Sequence, residues 1–396
     1  MALITGSTRL LYSVSHILFT SLMLLMLSVA GASAQSVLIP SPPQIAGSSF
    51  ILMDPVSGRV IMEENSDERL PPASLTKMMT AYIVERELDE GRISMSDMVP
   101  ISVNAWRTEG SRTFVREGTA VSVEDLLRGV IIQSGNDASV ALAEFVAGSE
   151  SAFVDIMNQQ AELLGMEGTE FANATGLPAP DQFSTARDLA LLARAIINDY
   201  PENYPLYAEK HFTFNNIRQP NRNSLLWRDD SVDGLKTGHT QEAGYCLVAS
   251  AKRNDTRMIA VVMGADSPAS RAQEVQKMLN YGFRYYQTET LFSAGQELIN
   301  ARVWGGESEQ ISVGILDDIY ITIPRGARDS MESVIELDTV IRAPVAVGDE
   351  LGRVKVTLDE ETLVDQPVLA LSDVPEGGFF KRIWDAIKLF FVQLFE

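Results

Sequence analysis

Ser74 and Lys77 stand three residues apart in Pro71-Pro72-Ala73-Ser74-Leu75-Thr76-Lys77-Met78-Met79, a spacing that brings a hydroxyl and an amine onto one face of a helix. A hydroxyl beside a basic amine is a nucleophile beside a candidate base. The two prolines end an extended segment and predict a helix beginning near Ser74. Leu75, Met78, Met79, Ala81, Tyr82 and Ile83 make that helix apolar on nearly every side, so it is expected at the centre of a domain. A charge on Lys77 would be costly there. The pair alone says little, because S-x-x-K arises by composition roughly once or twice in a chain of this length. Two further segments supply groups that such a nucleophile needs. Ser134-Gly135-Asn136 follows the apolar run Leu126 to Ile132 and precedes another helical pattern, which places it at a break between helices. Lys236-Thr237-Gly238-His239-Thr240 lies in a strand-like stretch flanked by Val232 to Leu235 and Tyr245 to Ala251.

The order S-x-x-K, S-x-N, K-T-G resembles the signature of penicillin-binding proteins and serine β-lactamases. Ser74-Lys77 is the only S-x-x-K in the chain, whereas S-x-N recurs at Ser102-Val103-Asn104, read here as a loop before Trp106.

The elements that must hold these groups are legible in order. Residues 1 to 34 carry Arg9, an apolar run from Ile17 to Val29 and Ala32-Ser33-Ala34, the pattern of a cleavable secretory signal, with the mature chain starting near Gln35. The alternative is an uncleaved anchor, for which a 13-residue run is short. Loss of Arg9 takes the net charge from −21 to −22, which argues against nucleic acid as a partner. A single cysteine excludes a disulfide framework, and one cysteine with two mature histidines is too few for common zinc sites, so no metal or cofactor is expected. Phe50 to Met53 and Arg59 to Met62, joined by Asp54-Pro55-Val56-Ser57-Gly58, predict a β-hairpin. Ser122-Val123-Glu124-Asp125 resembles a capping box opening a helix through Ile132, followed by helices at Asn136 to Ala147 and Thr185 to Asn198. Strands return around Lys236, at Tyr245 to Ala251 and at Met258 to Met263, before a helix from Ser270 to Tyr286. The expected fold is α+β, an antiparallel sheet whose last strands pair with the first hairpin, covered by helices. Residues 289 to 374, with alternating runs such as Ile319 to Ile323, predict a separate small β domain after a catalytic domain spanning 35 to 288.

After Pro375-Glu376-Gly377-Gly378, residues 379 to 396 place Phe380, Ile383, Trp384, Ile387, Phe391, Leu394 and Phe395 on one side of a helix. Lys381, Asp385 and Lys388 fall on the other. An amphipathic anchor at 375–396 lying in a membrane interface is expected, against the alternative of a helix packed on its own β domain or on a second copy.

From about Ile45 to the C-terminus the chain resembles low-molecular-mass penicillin-binding proteins that act as serine DD-carboxypeptidases (peptidase S11 type). The resemblance implies a transpeptidase-like catalytic domain and hydrolysis of peptidoglycan stem peptides ending in D-Ala-D-Ala, at the periplasmic face of the inner membrane. β-Lactams would acylate Ser74. It further implies Lys77 as base, its pKa lowered by burial and by a second cation at Lys236. Ser134 would relay a proton and the Asn136 amide would hold a substrate peptide oxygen. Lys236 and Thr237 would bind the terminal carboxylate, assisted by Arg222. Gly238 would leave room for the peptide along the strand, and the N–H groups of Ser74 and His239 would form the oxyanion hole. Asp188 would orient His239. A class A β-lactamase would add an E-x-x-L-N glutamate; Glu167 and Glu170 occupy the region without that pattern. A DD-endopeptidase and a catalytically idle envelope-binding protein remain open.

Overall fold

The computed structural model describes residues 39–395, so the expected signal at 1–34 lies outside it. Its first strands are β1 (Ser49–Met53) and β2 (Val60–Glu64), paired antiparallel with Ile51 opposite Glu63. Asp54 makes the turn between them: its carboxylate accepts the Val56 N–H at 2.7 Å and the Ser57 N–H at 3.2 Å.

The nucleophile segment opens with a tight 3-10 turn, Ala73–Thr76, and becomes α-helical only at Lys77, giving α1 (Lys77–Asp89). Ser102, expected in a loop, instead accepts the Ala105 N–H at 2.9 Å and caps a short helix, Val103–Arg107. Ser122 caps the helix Val123–Arg128 through the Asp125 N–H at 3.2 Å. The expected continuation to Ile132 widens into a π turn over Gly129–Gln133, where a Cβ on Gly129 would lie 2.3 Å from Thr113 Oγ1. It ends at Ser134, in the left-handed region at φ 67°. Helix α2 (Asn136–Ala147) and helix α3 (Ala186–Asp199, capped by Thr185) lie where the sequence places them. The helix Glu150–Leu163 was not anticipated: it buries Phe153, Met157, Gln160 and Ala161, too narrow a stripe for a clear apolar period.

Strands β3 (Val232–Thr240), β4 (Gly244–Arg253) and β5 (Thr256–Ala265) complete an antiparallel sheet in the order β2-β1-β5-β4-β3. The first hairpin thus joins the last strands, with Ile51 opposite Val261. Alternation along β1 and β5 fills two cores: Ile51 and Val261 pack with Met79, Leu126 and Leu189, while Leu52 and Val262 pack with Val275 and Leu279 of α4 (Pro268–Tyr285). At one edge, Glu63 of β2 is bridged at 2.6 Å by Arg187, which also holds Asp67 at 2.7 Å. The other edge, β3, faces the nucleophile turn.

The C-terminal third is an all-β unit with its own core around Val303, Val313, Ile323, Val354 and Val368. The expected boundary at 288/289 falls inside the strand Tyr286–Phe292. That strand is tied to the catalytic sheet by Thr288 Oγ1, which donates to the Asp54 carboxylate, while Ser57 and Thr322 hydroxyls meet at 2.7 Å. Helix α5 (Phe379–Phe395) follows. Its expected polar side does not face water throughout: Asp385 is buried against the β unit, accepting the Gly305 N–H at 3.1 Å, and Lys381 donates to the Glu307 carbonyl at 2.8 Å. Phe380, Ile383, Trp384, Ile387, Phe391 and Leu394 are exposed.

Glu85, on α1, is a buried carboxyl that accepts the Tyr207 hydroxyl at 3.1 Å, and its Oε2 has no partner. Burial pushes its pKa from 4.5 up to about 8. A raised carboxyl pKa means stability that is full below the unfolded value and is lost as pH rises through the folded one. Glu85→Gln is expected to flatten the fall in thermal stability between pH 5 and pH 8, the gap to wild type changing by roughly 3 kcal/mol. Parallel pH profiles for the two proteins would contradict this.

Candidate active site

Ser74 is presented by a strained approach. Ala73 has φ 47°, and Gly176, at φ 81°, packs so closely that a Cβ there would lie 1.9 Å from the Ala73 carbonyl oxygen. Lys77 is buried, its Nζ 3.2 Å from Ser74 Oγ, and it also donates to the Thr175 carbonyl. The loop that carries this carbonyl is fixed by Asn173 Oδ1, which accepts the Thr175 and Gly176 N–H groups at 3.1 and 2.8 Å. Burial is the main force lowering the Lys77 pKa to about 7; the Arg222 charge adds to it and Asp137 opposes it. A neutral amine has two hydrogens and one lone pair, so Lys77 can donate to Thr175 and still accept the Ser74 proton.

Lys236 makes a second hydroxyl–amine pair, donating to Ser134 Oγ at 2.8 Å and to the Thr237 carbonyl at 3.1 Å. Burial, then Lys77, Arg222 and Arg271, push its pKa well below the usual lysine range. Arg222, which the sequence did not single out for this effect, adds its charge to burial at Lys77, and the repulsion between the two lysine amines is felt at Lys236.

Asn136 is buried with its Nδ2 donating to the Glu109 carbonyl at 2.6 Å, while its backbone N–H reaches the Ser111 carbonyl at 2.7 Å. Thr237 is buried on β3. Gly238 has no side chain because a Cβ would come within 3.0 Å of the Pro72 carbonyl oxygen and 3.2 Å of Leu75 Cγ. Arg222 is exposed and meets no carboxylate among the described residues, yet it is near enough to depress both amines. The His239 ring is exposed and stacks on Tyr245 at 4.0 Å. Asp188 does not orient it: its carboxylate accepts the Gly168 N–H at 2.9 Å and the Thr169 hydroxyl at 2.6 Å, where it anchors the start of α3.

The structure adds residues that the sequence did not disclose. Asp137 gathers the N–H groups of Thr113, Phe114 and Val115 at 2.7, 2.9 and 3.2 Å, tying the 109–115 loop to the turn that carries Ser134 and Asn136. Its one signal was a carboxylate at the head of an otherwise apolar helix. Arg271, reaching from α4 through the sheet, donates to the Gly238 carbonyl at 3.0 Å. Thr175 and Gly176 lie between the helices expected at 136–147 and 185–198.

The profile of the D-alanyl-D-alanine carboxypeptidases matches residues 36–267, and that of the penicillin-binding protein 5 C-terminal domain matches 286–376. D-alanyl-D-alanine carboxypeptidase DacC of Escherichia coli is 45% identical over 361 residues, covering 89% of this chain and 90% of its own. The chain belongs to the D-alanyl-D-alanine carboxypeptidase family. This carboxypeptidase is also 44% identical to DacA of Escherichia coli, over 90% of its length and 91% of the relative's. The structure of penicillin-binding protein 5 from Haemophilus influenzae overlays with a TM-score of 0.82 at 43% identity, covering 85% of this chain and all of that one. A D-alanyl-D-alanine endopeptidase of Pseudomonas aeruginosa matches at 32% over only 62% of the chain. The enzyme is therefore a serine-type DD-carboxypeptidase, a hydrolase of the penicillin-binding class, rather than a β-lactamase or an idle binding protein.

An asparagine at Asp137 has one accepting oxygen in place of two and carries no charge. Asp137→Asn is expected to slow acylation by penicillin roughly 10- to 100-fold, since the loop that holds Asn136 loses at least one of its N–H anchors. It should also move the acid limb of the acylation pH profile below pH 7, because the charge that favoured protonated Lys77 is gone. An unchanged rate and midpoint would show that Asp137 neither anchors the loop nor acts on Lys77.

Proposed function

We propose that Ser74 Oγ attacks the carbonyl carbon of the penultimate D-Ala while Lys77 takes its proton. The terminal D-Ala nitrogen departs with a proton passed through Ser134, leaving an acyl-serine that water hydrolyses. Lys236, Thr237 and Arg222 receive the terminal carboxylate, and Gly238 keeps the edge of β3 clear for the peptide backbone. The second hydrogen of the Asn136 amide holds a peptide oxygen of the substrate. The N–H groups of Ser74 and His239 stabilise the oxyanion. The observation that carries this reading is Lys77: buried 3.2 Å from the Ser74 hydroxyl, with a pKa near 7, it is a base suited to neutral pH.

Incubation with penicillin followed by mass spectrometry is expected to place a single adduct on Ser74. Its formation rate should fall about tenfold for each pH unit below 7, as Lys77 gains a proton. Lys77→Arg, which cannot lose its proton near neutrality, should lower that rate by more than ~10³-fold. A rate flat from pH 5 to pH 8 would remove Lys77 from the role of base.

We further propose export directed by residues 1–34, a catalytic domain over 35–288, a β domain over 289–374 and attachment by 375–396 to the outer face of the inner membrane. Among the described residues no helix is long and apolar enough to cross a membrane. Helix α5 instead turns its aromatic face outward and its polar side onto the β unit, the arrangement an interfacial helix requires. Deleting residues 379–396 is expected to move the mature enzyme from pelleted anionic vesicles to the supernatant with D-alanine release unchanged. Retention of the truncated enzyme on vesicles would count against the anchor.

A further inference from the structure

A pocket of about 460 Å³ opens between α5 and the β unit, at the far end of the molecule from Ser74. Its charged lining comes from both sides: Arg342 from the β unit, Arg382 from the first turn of α5 and Glu376 from the segment before it. The rest is largely apolar, with Trp304 of the strand Glu297–Trp304 facing Leu389 and Phe390 of α5. Strand register sets Trp304 opposite Arg342, and Arg302, two residues before Trp304, lays its guanidinium over the indole at 3.9 Å. Glu376 is already matched by Arg382. Arg302 and Arg342 are exposed, and among the described residues neither has an ion-pair partner, in contrast to Arg353 and Arg382 of the same unit. In a chain of formal net charge −21, this corner is left with cations that no carboxylate answers.

An anion with an apolar body fits this division of the lining, and the surroundings say which kind. Phe390 lines the pocket and is itself exposed, as are Ile387, Phe391 and Leu394, so the apolar wall runs on into the aromatic face of α5. A helix whose apolar face sinks about 5–10 Å into the boundary between headgroups and acyl chains holds its flanks at the level of the headgroups. We propose that the pocket binds one anionic glycerophospholipid. Its phosphodiester is held by Arg342, with the charges of Arg302 and Arg382 beside it, and its glycerol and upper acyl chains lie along Trp304, Leu389 and Phe390. A guanidinium fork matches two phosphate oxygens at once, which a lysine ammonium does not. A headgroup that also carries an ammonium brings a further cation among three arginines, where the lining carboxylate, Glu376, is already paired, and is disfavoured. The site rests on α5 lying in the membrane interface, as proposed above, and it gives that attachment a headgroup preference set by the β unit rather than by the helix alone.

The test is calorimetric titration of the full mature enzyme with dihexanoyl phosphatidylglycerol, kept below its micelle concentration so that no bilayer is present. Saturable binding at a single site is expected, with dihexanoyl phosphatidylcholine roughly five- to tenfold weaker. Arg342→Gln should weaken the phosphatidylglycerol site by about tenfold or more. The same variant should keep wild-type D-alanine release and penicillin acylation, which shows that it is folded. Lys355→Gln removes a like charge from the strand Glu350–Leu358, three strands from Glu297–Trp304 in the same sheet, and should leave binding unchanged. The site is overturned by the absence of saturable binding, by equal affinity for the two lipids, by inorganic phosphate binding as tightly as the lipid, or by equal losses from Arg342→Gln and Lys355→Gln. A dimer in lipid-free solution that Arg342→Gln dissociates would give the pocket to a second copy and overturn it too. The anchor is judged separately: vesicle binding by an enzyme with no site for the soluble lipid removes the pocket and leaves the anchor, whereas retention of the enzyme lacking 379–396 on vesicles removes the anchor.

Discussion

The site is organised by a shortage of negative charge. Lys77, Lys236, Arg222 and Arg271 lie near enough to shift one another, and the carboxylate among them, Asp137, is occupied by four backbone N–H groups. Burial without a compensating anion is what lowers both lysine amines. Holding the Lys77 pKa near 7 rather than 10.5 costs about 5 kcal/mol below neutrality. Leu75, Met78, Met79 and Ile83, fully buried on the same helical segment, contribute about 1.5–3 kcal/mol each, enough to offset it. The protein therefore keeps an uncharged amine beside a hydroxyl without sacrificing the fold, and a ligand bringing a carboxylate supplies the charge the free site lacks.

Close approach does the rest. Gly176 lets a loop close on the Ala73 carbonyl and put the Thr175 oxygen on Lys77; Gly238 lets β3 come up to the Pro72 carbonyl. Each is a place where any side chain would push the nucleophile turn away from the strand. The hydroxyl–amine pairs are thus set by backbone packing between the sheet edge and the helical half of the domain, with Arg271 bracing the strand from the opposite face.

The local patterns carried much of this. Ser74 and Lys77 at helical spacing, the strand around Lys236, the helices beginning at Asn136 and Thr185 and the all-β third each announce themselves through short-range periodicity or capping. What stayed hidden depends on contacts far apart in the chain. The amine-lowering charge of Arg222, the anchoring of the 109–115 loop by Asp137 and the reach of Arg271 through the sheet have no period. The π turn before Ser134 arises because Thr113 packs on Gly129, a meeting that no window of sequence around residue 129 contains. The assignment of Asp188 to His239 failed for the same reason in reverse: an acid and an imidazole suggest a pair, but the fold gives Asp188 to Thr169 and Gly168 instead.

The unpaired edge of β3 has a cost for any protein that keeps one, because it invites strand pairing between copies. Two molecules meeting there about a twofold axis would bring the positive charge around each site, with its exposed Arg222, toward that of the other. The opposite edge is already blunted by the Glu63–Arg187–Asp67 charges. The same positive charge that disfavours the protonated amine of Lys77 therefore also disfavours the approach of a second edge of like charge.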